Sequence, residues 1–163
     1  MKLTRNLFVP MLDVDVLKES PTETAEYVPI DLSTIFEFAF NPNTETYSYI
    51  CYANDTTETT GYAPTMEQEI VLDNSNPLFK VLYPFCMSMP TGSKCTVPCL
   101  LVEPDMSTGK PTRGRLWKDA TISPGTVNTV DGKLTFTLNF NGDQQQGTVA
   151  NSDGTVTFTP DDE

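Results

Sequence analysis

The sequence contains no histidine. That removes the commonest general base and metal ligand, and with it any Ser–His or Cys–His pair. No apolar run approaches the roughly 20 residues that a membrane helix needs, so no membrane partner is expected. The N-terminal stretch MKLTRNLFVPMLDV has two bases but no apolar core and no small-residue cleavage site, so no secretory leader is expected. Lysine and arginine are missing from residue 19 to residue 79. GxGxxG, P-loop and GxSxG patterns are also missing, and no enzyme or cofactor is expected. Cysteine is sparse, with Cys51, Cys86, Cys95 and Cys99. On a strand Cys95 and Cys99 would stand about 13 Å apart, too far for one zinc without a bend. Buried reduced thiols are the plainer reading.

What is present is acid. The net charge is −12, and residues 1–73 hold 13 acids against 3 bases, while residues 74–163 hold 9 against 7. Such a surface repels phosphate, so adhesive nucleic-acid binding is not expected, although DNA could still pass without sticking. The same acidity serves solubility. A chain of 163 residues, 38% hydrophobic and rich in Thr, Asn, Pro and Gly, supports a single strand-rich domain with its own core.

The clearest structural signal is residues 114–143, GRLWKDATISPGTVNTVDGKLTFTLNFNGD. Leu134, Phe136, Leu138 and Phe140 alternate with Lys133, Thr135, Thr137 and Asn139, which gives one apolar and one polar strand face. The stretch predicts a long hairpin with strands at 114–122 and 133–140. The tail predicts a second hairpin around Ser152-Asp153-Gly154.

Earlier in the chain, Leu7-Phe8-Val9-Pro10-Met11-Leu12 reads as an apolar terminal arm. Pro10 restricts it to an edge or an extended segment, and a first strand is the alternative. Residues 13–33 read as an acidic loop in which Asp13 and Asp15 make only a fragment of a calcium-loop pattern. TIFEFAF and ETYSYICYA predict an aromatic hairpin, with core packing preferred over base stacking because no cation lies nearby. Residues 54–65, NDTTETTGYAPT, predict a projecting polar loop that includes Asn54, Asp55, Thr56, Gly61 and Tyr62. Residues 66–72 predict a strand carrying Glu67 and Glu69. Those carboxylates lack a base partner or an apolar pocket that would suit them to acid–base chemistry. Asn76 before Pro77 caps the one convincing helix, which Pro84 should limit to about two turns or kink. CTVPCLLVE predicts a nearly continuous apolar strand over 95–103.

The order of these elements resembles the tail tube (major tail) proteins of long-tailed bacteriophages. The matching parts are the 1–12 arm, the 54–65 loop, the NPLFKVLYPF helix and the late hairpin with its following Gln-Gln-Gln-Gly-Thr-Val. The resemblance implies a mainly β, tail-tube-like domain over 1–163, with two packed antiparallel sheets as a sandwich or partly open barrel and one short flanking helix. It implies a structural virion protein of the phage tail, assembled in the host cytoplasm. Its hexameric rings would stack into a tube, partnered by itself, a tape-measure protein, tail tip proteins and transiting DNA without specific binding. Leu7, Phe8, Val9 and Leu12 become candidate inter-subunit contacts, residues 54–65 a candidate inter-ring loop, and Glu67 and Glu69 candidate lumen acids. The outer wall or a subunit seam is the alternative place for those acids. A ring-forming tail terminator, a head–tail joining protein and a non-viral β-sandwich binding module are the competing readings.

Overall fold

A computed structural model describes residues 2–162. The protein is mainly β, with antiparallel sheets, one of them curled as a half-barrel, and one short helix. In chain order the strands are β1 (Val9–Asp13), β2 (Tyr27–Pro29), β3 (Phe38–Ala39), β4 (Pro42–Tyr47), β5 (Thr56–Tyr62) and β6 (Thr65–Val71). Helix α1 (Pro77–Met87) follows, then β7 (Cys99–Glu103), β8 (Arg113–Trp117), β9 (Thr121–Asn128), β10 (Lys133–Asn139), β11 (Gln144–Ser152) and β12 (Thr155–Pro160). A six-stranded sheet runs β12-β11-β8-β7-β1-β2, a four-stranded sheet runs β3-β6-β10-β9, and β4 pairs only with β5.

The six-stranded sheet is apolar on both faces, so it must be covered twice. Leu12, Cys99, Leu101 and Trp117 face Ile70, Ile122, Leu134, Phe136 and Leu138 of the four-stranded sheet in the larger core. Met11, Leu100, Val102 and Leu116 sit on the other face with Val149, Val156 and Phe158. The sheet closes over that second cluster by curling until β12 approaches β2. The curl needs glycine on β11, because a Cβ on Gly147 would lie 2.2 Å from the Thr159 carbonyl oxygen.

The long hairpin exists, but it is bent across both sheets. β8 pairs with β11 in one sheet, and β9 pairs with β10 in the other. The single strand expected over 114–122 is therefore broken at 118–120, where the Ala120 carbonyl accepts from the Val97 N–H at 2.8 Å. The chain crosses back at 140–143, where the Asn141 amide donates to the Asp119 carbonyl at 3.2 Å. The part expected as an open loop is largely β9. Its register shifts by a bulge between Leu134 and Phe136, and Thr126 N–H donates to the Thr135 hydroxyl at 2.9 Å. The tail hairpin closes on Asp153 and Gly154, both at positive φ (52° and 84°), the two-residue turn that matches strand twist.

Helix α1 is capped by Asn76, whose side chain accepts from Leu78 N–H at 2.8 Å and Phe79 N–H at 3.2 Å. It buries Leu78, Leu82 and Cys86 and runs 11 residues through Pro84, longer than the two turns expected. The lost donor faces the carbonyl of exposed Lys80, where water can replace it. The 95–103 strand begins only at Cys99, because residues 92–95 form a 3-10 turn. Burial pushes the Cys86 thiol up to about 11 and the Cys99 thiol up to about 12. Residues 13–33 are not all loop, since β2 lies within them. Asp13 and Asp15 organise the remainder. Asp13 accepts from the N–H groups of Asp15 and Glu26, and Asp15 from the N–H and hydroxyl of Thr22.

Candidate functional site

Three surfaces concentrate the residues singled out above. The first is the outer face of the four-stranded sheet. Its inner face holds Met66, Gln68, Ile70, Leu134, Phe136 and Leu138, all buried. Strand alternation therefore turns Glu67, Glu69, Thr135 and Thr137 outward, with Glu67 opposite Thr137 and Glu69 opposite Thr135. Lys133 shares this face and pairs with the Glu69 carboxylate. Its ammonium pKa is raised, first by that hydrogen bond and then by the carboxylate's charge. β9 extends the face with Ser123, whose hydroxyl accepts from the Asn139 amide at 3.0 Å. Its charged groups on β6, β10 and β9 are Glu67, Glu69 and Lys133, a net of −1. Glu69 is thus ion-paired in place, and Glu67 is the acid of the two that has no ion-pair partner among the described residues. Beyond a single bridge from Thr121 to Thr96, β9 pairs with β10 alone, so from Ile122 onward it ends the sheet as an open edge.

The second surface is the β4–β5 hairpin. Residues 54–65 are not a loop, because Thr56, Gly61 and Tyr62 belong to β5, paired to β4 from Tyr47↔Thr56 to Pro42↔Tyr62. The aromatic hairpin expected between 34–40 and 45–53 does not form. β3 keeps only two residues and pairs with β6. The turn at Asn41, with φ of 47°, sends the chain out of the sheet instead. The projecting loop is residues 48–55, which includes Asn54 and Asp55. It carries an apolar tip, with Ile50 107% exposed, Tyr52 64% and Tyr49 48%. Tyr49 stacks on Tyr47 at 5.9 Å between ring centroids and meets Tyr52 edge-on at 5.9 Å. Tyr47 in turn donates to Glu45, which raises the phenol pKa.

The third surface lay outside sequence reasoning. The two sheets part at one end and leave an aromatic recess beside the hairpin base. Phe38 packs on Phe140 at 4.9 Å and on Trp117 at 5.8 Å, and Phe36, Phe40 and Tyr62 complete its wall and lip. Phe40 and Tyr62 are 64% and 62% exposed. Glu103 and Arg115, joined by a 2.9 Å ion pair, stand at its polar end. The spacing of Phe36, Phe38 and Phe40 was the available signal, but alternation predicts one buried face and cannot say that the covering sheet ends early.

The apolar arm over 1–12 requires correction. Leu12 is 0% exposed in the main core, and Val9 opens β1, hydrogen-bonded between β7 and β2. Pro10 is tolerated because the β1–β2 register begins at Met11, while the Pro10 carbonyl still accepts from Ile30 N–H at 2.9 Å. Leu7 and Phe8 precede the strand and stay half-buried, Phe8 against Phe36 at 6.1 Å. Among the described residues no group of three or more Cys, Asp or Glu could hold a metal ion. No helix among the described residues is long and apolar enough to cross a membrane.

No family model matches the chain, and no curated protein matches it. Among solved structures, the chain is similar to a chain in a cryo-EM structure of the anti-feeding prophage (AFP) baseplate, at 10% identity and a TM-score of 0.49. That similarity covers 85% of this chain and 91% of the other. It is also similar to a chain in a cryo-EM structure of the anti-feeding prophage cap, the AFP tube terminating cap, at 9% identity and a TM-score of 0.48. Here 99% of this chain and 93% of the other are covered. No side-chain role is carried over from either.

Proposed function

We propose that this chain is a structural subunit that assembles into rings of a phage-tail-like tube. Six copies form a ring, rings stack, and the outer face of β6, β10 and β9 lines the bore. The observation that carries the reading is that face itself. It is polar apart from Val71 at one end, buried on its reverse along β6 and β10, nearly neutral, and ends at the open backbone of β9. An exposed strand edge needs a cover, and a neighbouring copy continuing the sheet would supply one. A bore with a net charge of −1 per copy has no cationic grip on phosphate, so DNA would pass without counterion release to hold it. A tape-measure protein would occupy the bore beforehand, and tail tip proteins would start the stack. The virion tail is the proposed location.

Negative-stain microscopy of the concentrated protein tests the reading. Six-fold rings that stack into tubes are the expected result, and discrete particles with no rings, even when seeded with tail tips, would overturn it. Single rings that never stack would identify a tube-terminating subunit in place of a tube subunit. Glu67→Lys is expected to leave rings intact while slowing DNA passage in a salt-dependent way.

A further inference from the structure

The hairpin tip and the aromatic recess are the two largest apolar exposures around the hairpin, and they have opposite shapes. One projects and the other is hollow. They cannot meet within one chain. Pro42 and Tyr62 at the hairpin base line the recess, with Thr59 two pairs further out, and five residue steps along β4 carry the chain from that base to the Tyr47↔Thr56 end. At 3.4 Å per residue the tip stands about 17 Å away while the hairpin stays paired.

We propose that the tip of one copy seats in the recess of the next, Ile50 entering between Phe40 and Tyr62 with Tyr49 and Tyr52 closing over the lip. The proposal rests on the ring-forming reading and names the contact that joins its subunits. Because tip and recess are different patches, the contact is heterologous and propagates from copy to copy.

Area supports a repeated contact over an isolated pair. The exposures of Tyr49, Ile50 and Tyr52 amount to about 400 Å², taking roughly 200 Å² for a fully exposed large side chain. With the matching area of the recess, one contact buries about 800 Å², short of the roughly 1,200 Å² of a stable pair. A copy that gives its tip to one neighbour and its recess to another is held twice. Charge acts in the same direction as this weakness. The hairpin carries Glu45, Asp55 and Glu58 with no base, on a chain of net −12. Association should therefore strengthen with salt. Arg5, which has no carboxylate partner among the described residues, flanks the recess beside Phe8 and Phe36 and offers a counter-charge.

Cys51 in the tip is exposed and serves as a native probe. In the full chain, Asp143→Cys places a thiol on the recess rim. Mild oxidation should then give a ladder of cross-linked oligomers that vanishes with Cys51→Ser and falls at least tenfold with Ile50→Asp. Mixing complementary variants tests direction. I50D/C51S/D143C keeps only a working recess, and F40D/Y62D keeps only a working tip. Together they should yield a dimer band and nothing larger, and each alone should yield none. All the altered side chains are exposed, and circular dichroism checks that each variant folds. A ladder independent of Cys51, one unchanged by I50D, or no cross-link at all overturns the contact. Rings that persist in micrographs of I50D remove the tip contact but spare the ring-forming reading, whereas a Cys51-dependent ladder without rings does the reverse.

Discussion

β10 and β5 are both seven-residue, threonine-rich antiparallel strands, KLTFTLN and TTETTGY. β10 alternates strictly, buries every second side chain and is paired on both edges. β5 has polar residues at nearly every position, is exposed along almost its whole length and pairs only with β4. The first is held by a core that a one-residue slip would destroy. The second has no core to specify its register, and a lone two-stranded hairpin is marginal in water. The contrast separates a strand that makes the fold from one the fold can spare for contact with something else.

The contrast can be broken most decisively by mutation. Phe136→Ala should cost about 3–5 kcal/mol, as cavity-forming core truncations do. Thr59→Ala on β5 should stay within about 0.5 kcal/mol. Both are read as shifts in denaturant midpoint, and equal costs would erase the distinction. Amide exchange sharpens it further. β10 amides should exchange about 10³-fold more slowly than those of β4 and β5 in the unassembled protein, a gap that narrows on assembly if the hairpin is clamped. Equal protection in the monomer would mean that the hairpin is braced by its own chain.

Smaller effects follow from charge. The Thr22 backbone N–H holds the Asp15 carboxyl below the usual carboxylate range, against opposition from burial. The unfolded chain then takes up this proton first as pH falls. The stabilisation is whole above the ordinary carboxylate pKa of about 3.9 and is lost as pH drops through the lower folded value. Asp15→Asn should lower stability at neutral pH and flatten the acid limb of a midpoint-against-pH series. The 14–26 loop that Asp15 organises would loosen, leaving the β10 contrast unchanged. The smallest effect belongs to Lys133 and Glu69 on the outer face. The raised lysine pKa adds stability that is present below about 10.4 and lost as pH rises through the folded value. Lys133→Ala should shift the midpoint only slightly at neutral pH, and the difference from the parent should disappear in strong base.

Much of the framework was legible in the sequence because it is written in local period. Leu134, Phe136, Leu138 and Phe140 announced their buried face, Asn76-Pro77 announced a helix start, and Asp153-Gly154 announced a turn. The assembly surfaces were legible only in part. Glu67 and Glu69 could be placed on one strand face, but that Lys133 pairs with Glu69 depends on β6 lying beside β10, 64 residues away in sequence. Leu12 looked like an arm residue because a short apolar terminal run with a proline reads the same whether a partner or the chain's own β7 covers it.

The sequence alone therefore determined which segments alternate, where the caps and tight turns fall, and which charges are scarce, since each depends on neighbours within a few residues. Only the tertiary structure decided that the long hairpin bends from one sheet into the other at 118–120 and 140–143, that β4 and β5 leave the sandwich, and that the sheets part over Phe38 and Phe40. Those outcomes turn on which strand faces compete for the same buried space. That competition is settled between residues far apart in the chain, where local period carries no information.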